Sequence, residues 1–187
     1  MSTDTRRQPR LAYVSAMAAY NAWMNDKVYA AAARLPKAEV MRSRGAYFDS
    51  IFGTLSHVVV ADTIWLLRFA SDPALPTHAM LSSGTRTLPR PERLDEQPCA
   101  DLPTLAARRH ELDALVQRWV AALDEDTLAA TLHYANMRGD PLSRELFFLL
   151  MHFFNHQTHH RGQVTTLLTQ CGEDVGATDL VAMPPIA

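Results

Sequence analysis

Apolar residues recur at three- and four-residue spacing over long segments of the chain, a spacing typical of amphipathic α-helices. The first predicted helix runs from about Leu11 to Arg34, before Pro36, which cannot continue a helix. The second spans about Asp49 to Ala70 and is apolar on most sides, so we expect it at the centre of the fold. Few segments show the alternating β-branched pattern of strands. The hydrophobic pattern therefore predicts an all-α protein.

The second half of the chain predicts two further helices with a turn between them. A third amphipathic helix fits about Leu102 to Leu123. Residues 131 to 143 carry an RGD centre between short flanks, and they predict a turn or a brief hairpin. The fourth helix runs from about Ser143, as the N-cap, to about Gln170. Four long helices in one small chain indicate a four-helix bundle.

A long connection separates the second and third predicted helices. Residues 71–100 are rich in proline and show little periodicity, so we expect an irregular surface segment rather than a second domain. With 187 residues, of which 48% are hydrophobic, the chain suits one domain over residues 1–187.

The charge and the cysteine content indicate which kinds of ligand and which cellular compartment to expect. The formal net charge is −2 and the basic residues are scattered, so neither a nucleic-acid nor an anionic-membrane partner is expected. Cys99 and Cys171 do not form a disulfide framework, the N-terminus lacks the apolar core of a signal peptide, and no apolar run approaches the length of a membrane span. These features favour a cytoplasmic protein whose ligand is a small molecule or an ion.

Histidine is concentrated in one short stretch, HFFNHQTHHRGQV, at residues 152–164. On a helix, positions four apart lie on nearly the same side, so His152, His156 and His160 form a stripe. An HxxxH pair can place two imidazoles on one metal ion, and a third ligand must then come from another helix. His57 is the best candidate, because the second helix is otherwise apolar around it. The residues alone leave open the alternative that each histidine only hydrogen-bonds a backbone carbonyl or water.

Several kinds of metalloprotein are excluded by the spacing. A metalloprotease helix needs HExxH, whereas Gln157 follows His156 here. A di-iron bundle needs paired glutamates that the predicted helices lack. Neither cysteine has the CxxC partner of a structural zinc site.

Three segments of the chain resemble the DinB family, the DinB/YfiT-like superfamily of damage-inducible bacterial proteins. These segments are NHQTHHRGQV at 155–164, HVVVADTIWL at 57–66 and YNAWMNDKV at 20–28. The resemblance implies an up-down-down-up bundle that usually forms a homodimer and holds a divalent metal at one end with three histidines. The matching positions are His57, His156 and His160.

The resemblance also implies roles for residues next to the three histidines. His159 matches a histidine that is not usually a ligand, and residues 161–163 match a structural RGQ. We expect Gly162 to allow another element to approach closely. Arg161 binds a carboxylate or loop carbonyls, or is solvated. His152 lies outside the matched triad, so a surface or supporting role is expected. Four further side chains are expected in the core: Met17, Trp23, Met24 and Trp65.

The function that the resemblance implies is metal-activated transfer of a low-molecular-weight thiol to an electrophile. Two alternatives are a metal-binding stress protein without turnover and a metal-dependent hydrolase. The metal ion, whether Zn, Ni, Fe or Mn, is not specified by imidazole ligands. A protein-derived cysteine nucleophile is not expected. The candidates for an acid or base are Asp49, Asp62, Tyr134 and Glu145.

Overall fold

Four long helices form the body of the molecule in a computed structural model that describes residues 8–185. They are α1 (Pro9–Ala33), α3 (Ile51–Phe69), α5 (Leu102–Val120) and α7 (Leu146–Gln170). Shorter helices connect them: α2 (Lys37–Met41), α4 (His78–Thr85) and α6 (Glu125–Ala129). A hairpin of β1 (Thr131–Ala135) and β2 (Pro141–Glu145) precedes α7, and a 3₁₀ turn, Leu180–Ala182, lies near the C-terminus.

The direction of each helix follows from pairs of side chains that meet along its length. His57 and Trp65 of α3 meet His156 and His152 of α7, so these two helices are antiparallel. Asp62 and Phe69 of α3 meet Arg109 and Trp119 of α5, so these two helices are parallel. Tyr13 and Asn21 of α1 meet Phe147 and Arg161 of α7, so these two helices are parallel. Asn21 and Asp26 of α1 meet Asp113 and His110 of α5, so α1 and α5 are antiparallel. The all-α four-helix bundle predicted from the hydrophobic pattern is confirmed, in the up-down-down-up order that the resemblance implies.

Side-chain caps fix where two of the bundle helices begin. Ser50 accepts a hydrogen bond from the backbone N–H of Gly53, and Asp101 accepts one from that of Thr104. Each satisfies a donor that the first helical turn leaves unpaired and stabilises the helix by about 1 kcal/mol. The predicted cap at Ser143 is wrong, because Ser143 lies in β2 opposite His133. The strand continues to Glu145, and α7 begins only at Leu146, without a side-chain cap.

The connection over residues 71–100 is more ordered than the sequence indicated. It contains the eight-residue helix α4, and Leu81 of this helix is fully buried against the core. Two turns of helix are too short to show a clear periodicity, which is why the pattern missed them. Of the turn or brief hairpin expected over residues 131–143, the structure forms the hairpin, whose strands β1 and β2 extend to Glu145.

Helix α3 lies at the centre of the core. An 18-residue window of it has a mean hydropathy of 1.3, so by length and composition it meets the requirements for a membrane span. The expectation that no segment is this apolar is therefore wrong. In the folded chain 78% of that window is buried by the surrounding helices. Of the four side chains expected in the core, Met24 is buried, while Met17, Trp23 and Trp65 are partly buried and pack against it.

Two helical glycines should respond oppositely to alanine. A Cβ atom at Gly53 would lie 2.0 Å from the backbone oxygen of Phe48, whereas one at Gly162 would meet nothing within 4 Å. The expectation of a close approach at Gly162 is therefore wrong. We expect Gly53→Ala to lower the free energy of unfolding by about 1–3 kcal/mol through overpacking, and Gly162→Ala to raise it by up to about 1 kcal/mol. Urea denaturation of both variants checks this, and a Gly53→Ala protein as stable as the wild type would contradict it.

Candidate metal centre

Three histidines converge between α3 and α7. His57 comes from the second turn of α3, and His156 and His160 come from successive turns of α7. Their nearest ring nitrogens all lie within 4.8 Å of one another. The structure thus brings together the three residues that the sequence proposed.

Two of the three donor nitrogens are spaced as ligands of one ion. The Nε2 atoms of His57 and His156 are 3.2 Å apart. Two nitrogens that each lie at 2.0–2.1 Å from a tetrahedral ion are separated by about 3.3 Å. The ring of His160 completes the group, with its centroid 4.4 Å from each of the other two.

Hydrogen bonds at the opposite ring nitrogens orient two of these imidazoles. Nδ1 of His57 lies 2.8 Å from the backbone oxygen of Leu94, and Nδ1 of His160 lies 2.8 Å from Oε1 of Gln163. A carbonyl oxygen can only accept, so each Nδ1 carries the proton and each Nε2 presents its lone pair to the centre. This is the supporting arrangement that metal-binding histidines use.

An aromatic side chain closes one side of the histidine group. The Phe48 ring stacks on His57 at a centroid distance of 3.7 Å and an angle of 13°, and it meets His160 edge-on at 5.6 Å. Phe48 reaches this position because the loop before α3 turns tightly at Asp49, which has a φ of 68°. The adjacent Tyr47 is 89% exposed. Phe48 was not identified from the sequence, since no local pattern marks a loop residue that packs on a distant helix.

Burial keeps the three imidazoles uncharged. His57 and His160 are buried, His156 is half-buried, and desolvation lowers the pKa of each. For His156 burial is the largest cause, the other histidines add repulsion, and the pKa falls to about 3. Neutral imidazole is the form that binds a metal ion. The donor type, the nitrogen spacing and the supporting hydrogen bonds therefore fit a divalent metal of unspecified identity.

The metal-free protein should lose stability in acid because of His156. Between pH 6.5 and about 3 the unfolded chain binds a proton at this position that the folded chain does not, so the free energy of unfolding falls as pH decreases. Above pH 6.5 the effect vanishes. We expect the wild type to lose more stability than His156→Asn between pH 7.5 and pH 5, measured by urea denaturation with a chelator present. Equal losses in the two proteins would contradict the lowered pKa.

None of the four proposed acids or bases forms a hydrogen bond with the triad within residues 8–185. Asp49 is exposed and bonds Ser43, while Glu145 pairs with Arg10 at 3.1 Å. Tyr134 packs against Trp65. Asp62 is buried in the core, away from solvent.

Asp62 belongs to a buried ionic cluster that the sequence analysis did not identify. Its Oδ2 atom accepts from Arg109 and, at 2.5 Å, from Gln157 Nε2. Burial raises the pKa of Asp62 to about 6, against the opposing influence of Arg109. Arg109 also pairs with Asp113 at 2.9 Å. The Asp113 carboxylate then accepts from two side chains of α1, Asn21 and Asn25.

Arg161 completes this cluster from α7. It is buried and donates to Asn21, while its guanidinium lies 5.5 Å from the centre of the Tyr20 ring. It therefore binds side-chain amides rather than the carboxylate or loop carbonyls that were expected. The cluster contains two acids and two arginines, and it joins all four bundle helices. Asp62 within an apolar helix was the sequence signal that could have revealed it, because a buried carboxylate needs a partner.

The two remaining histidines of the α7 stretch lie outside the triad. His152 is exposed, packs edge-on against Trp65 at 5.1 Å, and has its ring 6.1 Å from that of His156. His159 is exposed and contacts Gln163, the residue that orients His160. Neither residue belongs to the converging group: His152 lies at the surface, as one of its two expected roles, and His159 is the histidine that the resemblance did not count as a ligand.

Comparison with known proteins agrees with this architecture. A profile of the DinB family matches residues 1–186. Protein DinB of Bacillus subtilis (strain 168) is 28% identical over 165 residues, which cover 86% of this chain and 87% of that protein. No solved structure matches the chain. The histidine triad and the bundle are thus found in a chain that belongs to the DinB family.

Proposed function

We propose that the protein is a divalent-metal-dependent transferase that joins a low-molecular-weight thiol to an electrophile. The observation that carries the proposal is the convergence of three uncharged imidazoles on one point. Three protein donors leave at least one position for an exogenous ligand, as in catalytic sites, whereas structural zinc sites use four. When bound, the ion would lower the pKa of a thiol or water.

The residues around the triad have separable tasks in such a reaction. His57 and His160 are held in one tautomer by Leu94 and Gln163, so their lone pairs need no reorganisation. Phe48 shields one side of the group from water. With a halogenated electrophile, a bond forms between the thiol sulfur and carbon, the carbon–halogen bond breaks, and the thiol proton passes to solvent. With an epoxide or a Michael acceptor, the sulfur–carbon bond forms as a C–O bond or a C=C π bond breaks, and the resulting oxyanion or carbanion takes up the proton. No side-chain base is required if the thiol is already deprotonated.

The test is a search for turnover with defined metal content. The protein is purified without a histidine tag, its metal is measured, and it is loaded with zinc, nickel, iron or manganese in turn. A panel of low-molecular-weight thiols is then assayed with halogenated, epoxide and Michael-acceptor electrophiles. Metal-dependent turnover that His160→Ala abolishes is the expected result. Turnover that is equal in the metal-loaded and chelated protein would refute the proposal.

A second candidate function is metal binding without turnover. It is favoured by the absence, within residues 8–185, of a hydrogen bond between any carboxylate and the three histidines. If the panel yields no turnover while His160→Ala changes only the metal content, the binding function replaces the transferase.

We also propose that the protein forms a homodimer. Helix α3 uses its apolar sides within its own bundle, so the available apolar surface lies elsewhere. Phe148 of α7 is 55% exposed. Tyr13 of α1 is 39% exposed and contacts Phe147, the residue before Phe148. Light scattering should give twice the chain mass at micromolar concentration, and Phe148→Asp should give a monomer. A monomeric wild type at that concentration would exclude the dimer.

A further inference from the structure

A surface cleft of about 240 Å³ lies where the end of α3 meets the β-hairpin. Two arginines, Arg68 and Arg90, line it together with apolar side chains of α3 and the hairpin, and no acidic residue does. The other lining residues are Ile64, Leu67, Ser71, Pro91, Ala135, Asn136 and Met137.

Arg68 is held rigidly at this cleft. Its guanidinium carbon lies 4.8 Å from the centre of the Trp65 ring and 5.8 Å from that of Tyr134, which are cation–π distances. Its Nε atom donates to the backbone oxygen of Ala135 at 3.1 Å. Within residues 8–185 its two terminal nitrogens form no hydrogen bond, so the bidentate edge of the guanidinium is available in a fixed orientation.

Neither arginine is neutralised by the part of the chain that the structure describes. No carboxylate lies within 4.0 Å of Arg68 or Arg90 there. Asp140, the acid of the adjacent hairpin turn, is bonded to Arg138 and to Asn136. The hydroxyl of Ser71 donates to the backbone oxygen of Arg68. The donors that remain at the cleft are thus cationic.

We infer that this cleft binds a small organic carboxylate. The two oxygens of a carboxylate match the free edge of the Arg68 guanidinium, and Arg90 adds a second positive charge. Ile64, Leu67 and Met137 supply an apolar wall for the body of the ligand. This combination of an apolar wall with a few fixed polar groups is typical of small-molecule sites.

The cleft lies on the same side of the bundle as the histidine triad. The His156 ring is 6.1 Å from that of His152, the His152 ring is 5.1 Å from that of Trp65, and Arg68 stacks on Trp65. If the proposed transferase function holds, the carboxylate belongs to the thiol or to the electrophile. Because binding is measured directly, without turnover, failure of the site and failure of the transferase are distinguishable.

The experiment compares phenylacetate with phenylacetamide, its neutral counterpart of the same shape, by calorimetry and by amide NMR shifts on the full-length protein. We expect phenylacetate to bind at least about tenfold more tightly than the amide, since a charge-assisted hydrogen bond is stronger than one between neutral groups. Arg68→Gln and Arg90→Gln should each weaken phenylacetate binding several-fold. Arg108→Gln removes the same charge from α5, where Arg108 pairs with Glu111, and should change binding less than about twofold.

Three results with phenylacetate would overturn the inference. The first is equal affinity for phenylacetate and phenylacetamide, and the second is unchanged phenylacetate affinity in both cleft variants. The third is that the NMR shifts of backbone amides centre on residues around His156 rather than on Ser71 and Asn136. Tighter binding of inorganic phosphate than of phenylacetate would exclude a carboxylate as the ligand. Arg90 is exposed, so Arg90→Gln keeps the test valid even if Arg68→Gln does not fold.

Discussion

Replacement of His160 by alanine will remove metal binding while the helices remain. His160 supplies one of three converging nitrogens, and Gln163 fixes its orientation. Loss of residues that merely support a metal ligand weakens affinity by 10–100-fold, so loss of a ligand should weaken it by more than about 100-fold. The bundle core consists of apolar side chains that do not depend on the ion. Metal titration with a competing chelator measures the affinity, and circular dichroism measures the helix content.

The neighbouring histidine provides the matched control for this variant. His159 is exposed and has its ring centroid 4.8 Å from that of His160, but it is not part of the converging group. His159→Ala should therefore change metal affinity far less than His160→Ala. Chelation of the wild type should lower its melting temperature modestly rather than unfold it, unlike a zinc finger. Retention of wild-type affinity by His160→Ala, or a metal-free protein without helical signal, would contradict the assignment.

Of the substitutions considered, replacement of Asp62 by alanine will lower the free energy of unfolding the most. Arg109 is fully buried, and Asp62 is one of only two carboxylates that pair with it within residues 8–185. Removal of one partner from a buried ion pair leaves an uncompensated charge and typically costs about 3–5 kcal/mol. The variant also removes the acceptor of the Gln157 hydrogen bond. Urea denaturation, with the free energy of unfolding extrapolated to water, measures the effect.

Two further variants show whether the loss of stability in Asp62→Ala comes from the unpaired charge. The double variant Asp62→Leu with Arg109→Met replaces both charges by apolar groups and should recover much of the lost stability. Arg10→Ala removes a half-exposed partner of Glu145 and should cost no more than about 1 kcal/mol. A single variant Asp62→Ala within 1 kcal/mol of the wild type would show that the buried cluster does not stabilise the bundle.

Much of the metal centre could be predicted because the signals for its histidines lie within a few residues of each one in the sequence. The spacing of His156 and His160 places them on one face of any helix, and an isolated His57 within an apolar helix indicates a polar partner. The resemblance to the DinB family selected the same three residues. The interior of the site was not predictable in this way. Phe48 and the carbonyl of Leu94 contact His57 only because two loops fold back over α3.

The sequence by itself determined the four bundle helices, the hairpin and the face of α7 that carries the histidines, since periodicity, prolines and turn residues act over a few positions. The start of α7 was misplaced because strand pairing with β1 overrides a local capping signal at Ser143. Only the tertiary structure decided the partners of Asp62 and Arg161, and the isolation of Arg68 from every carboxylate in residues 8–185. Such contacts join residues as far as 140 positions apart. Packing of whole helices sets these distances, and no short-range pattern in the chain encodes them.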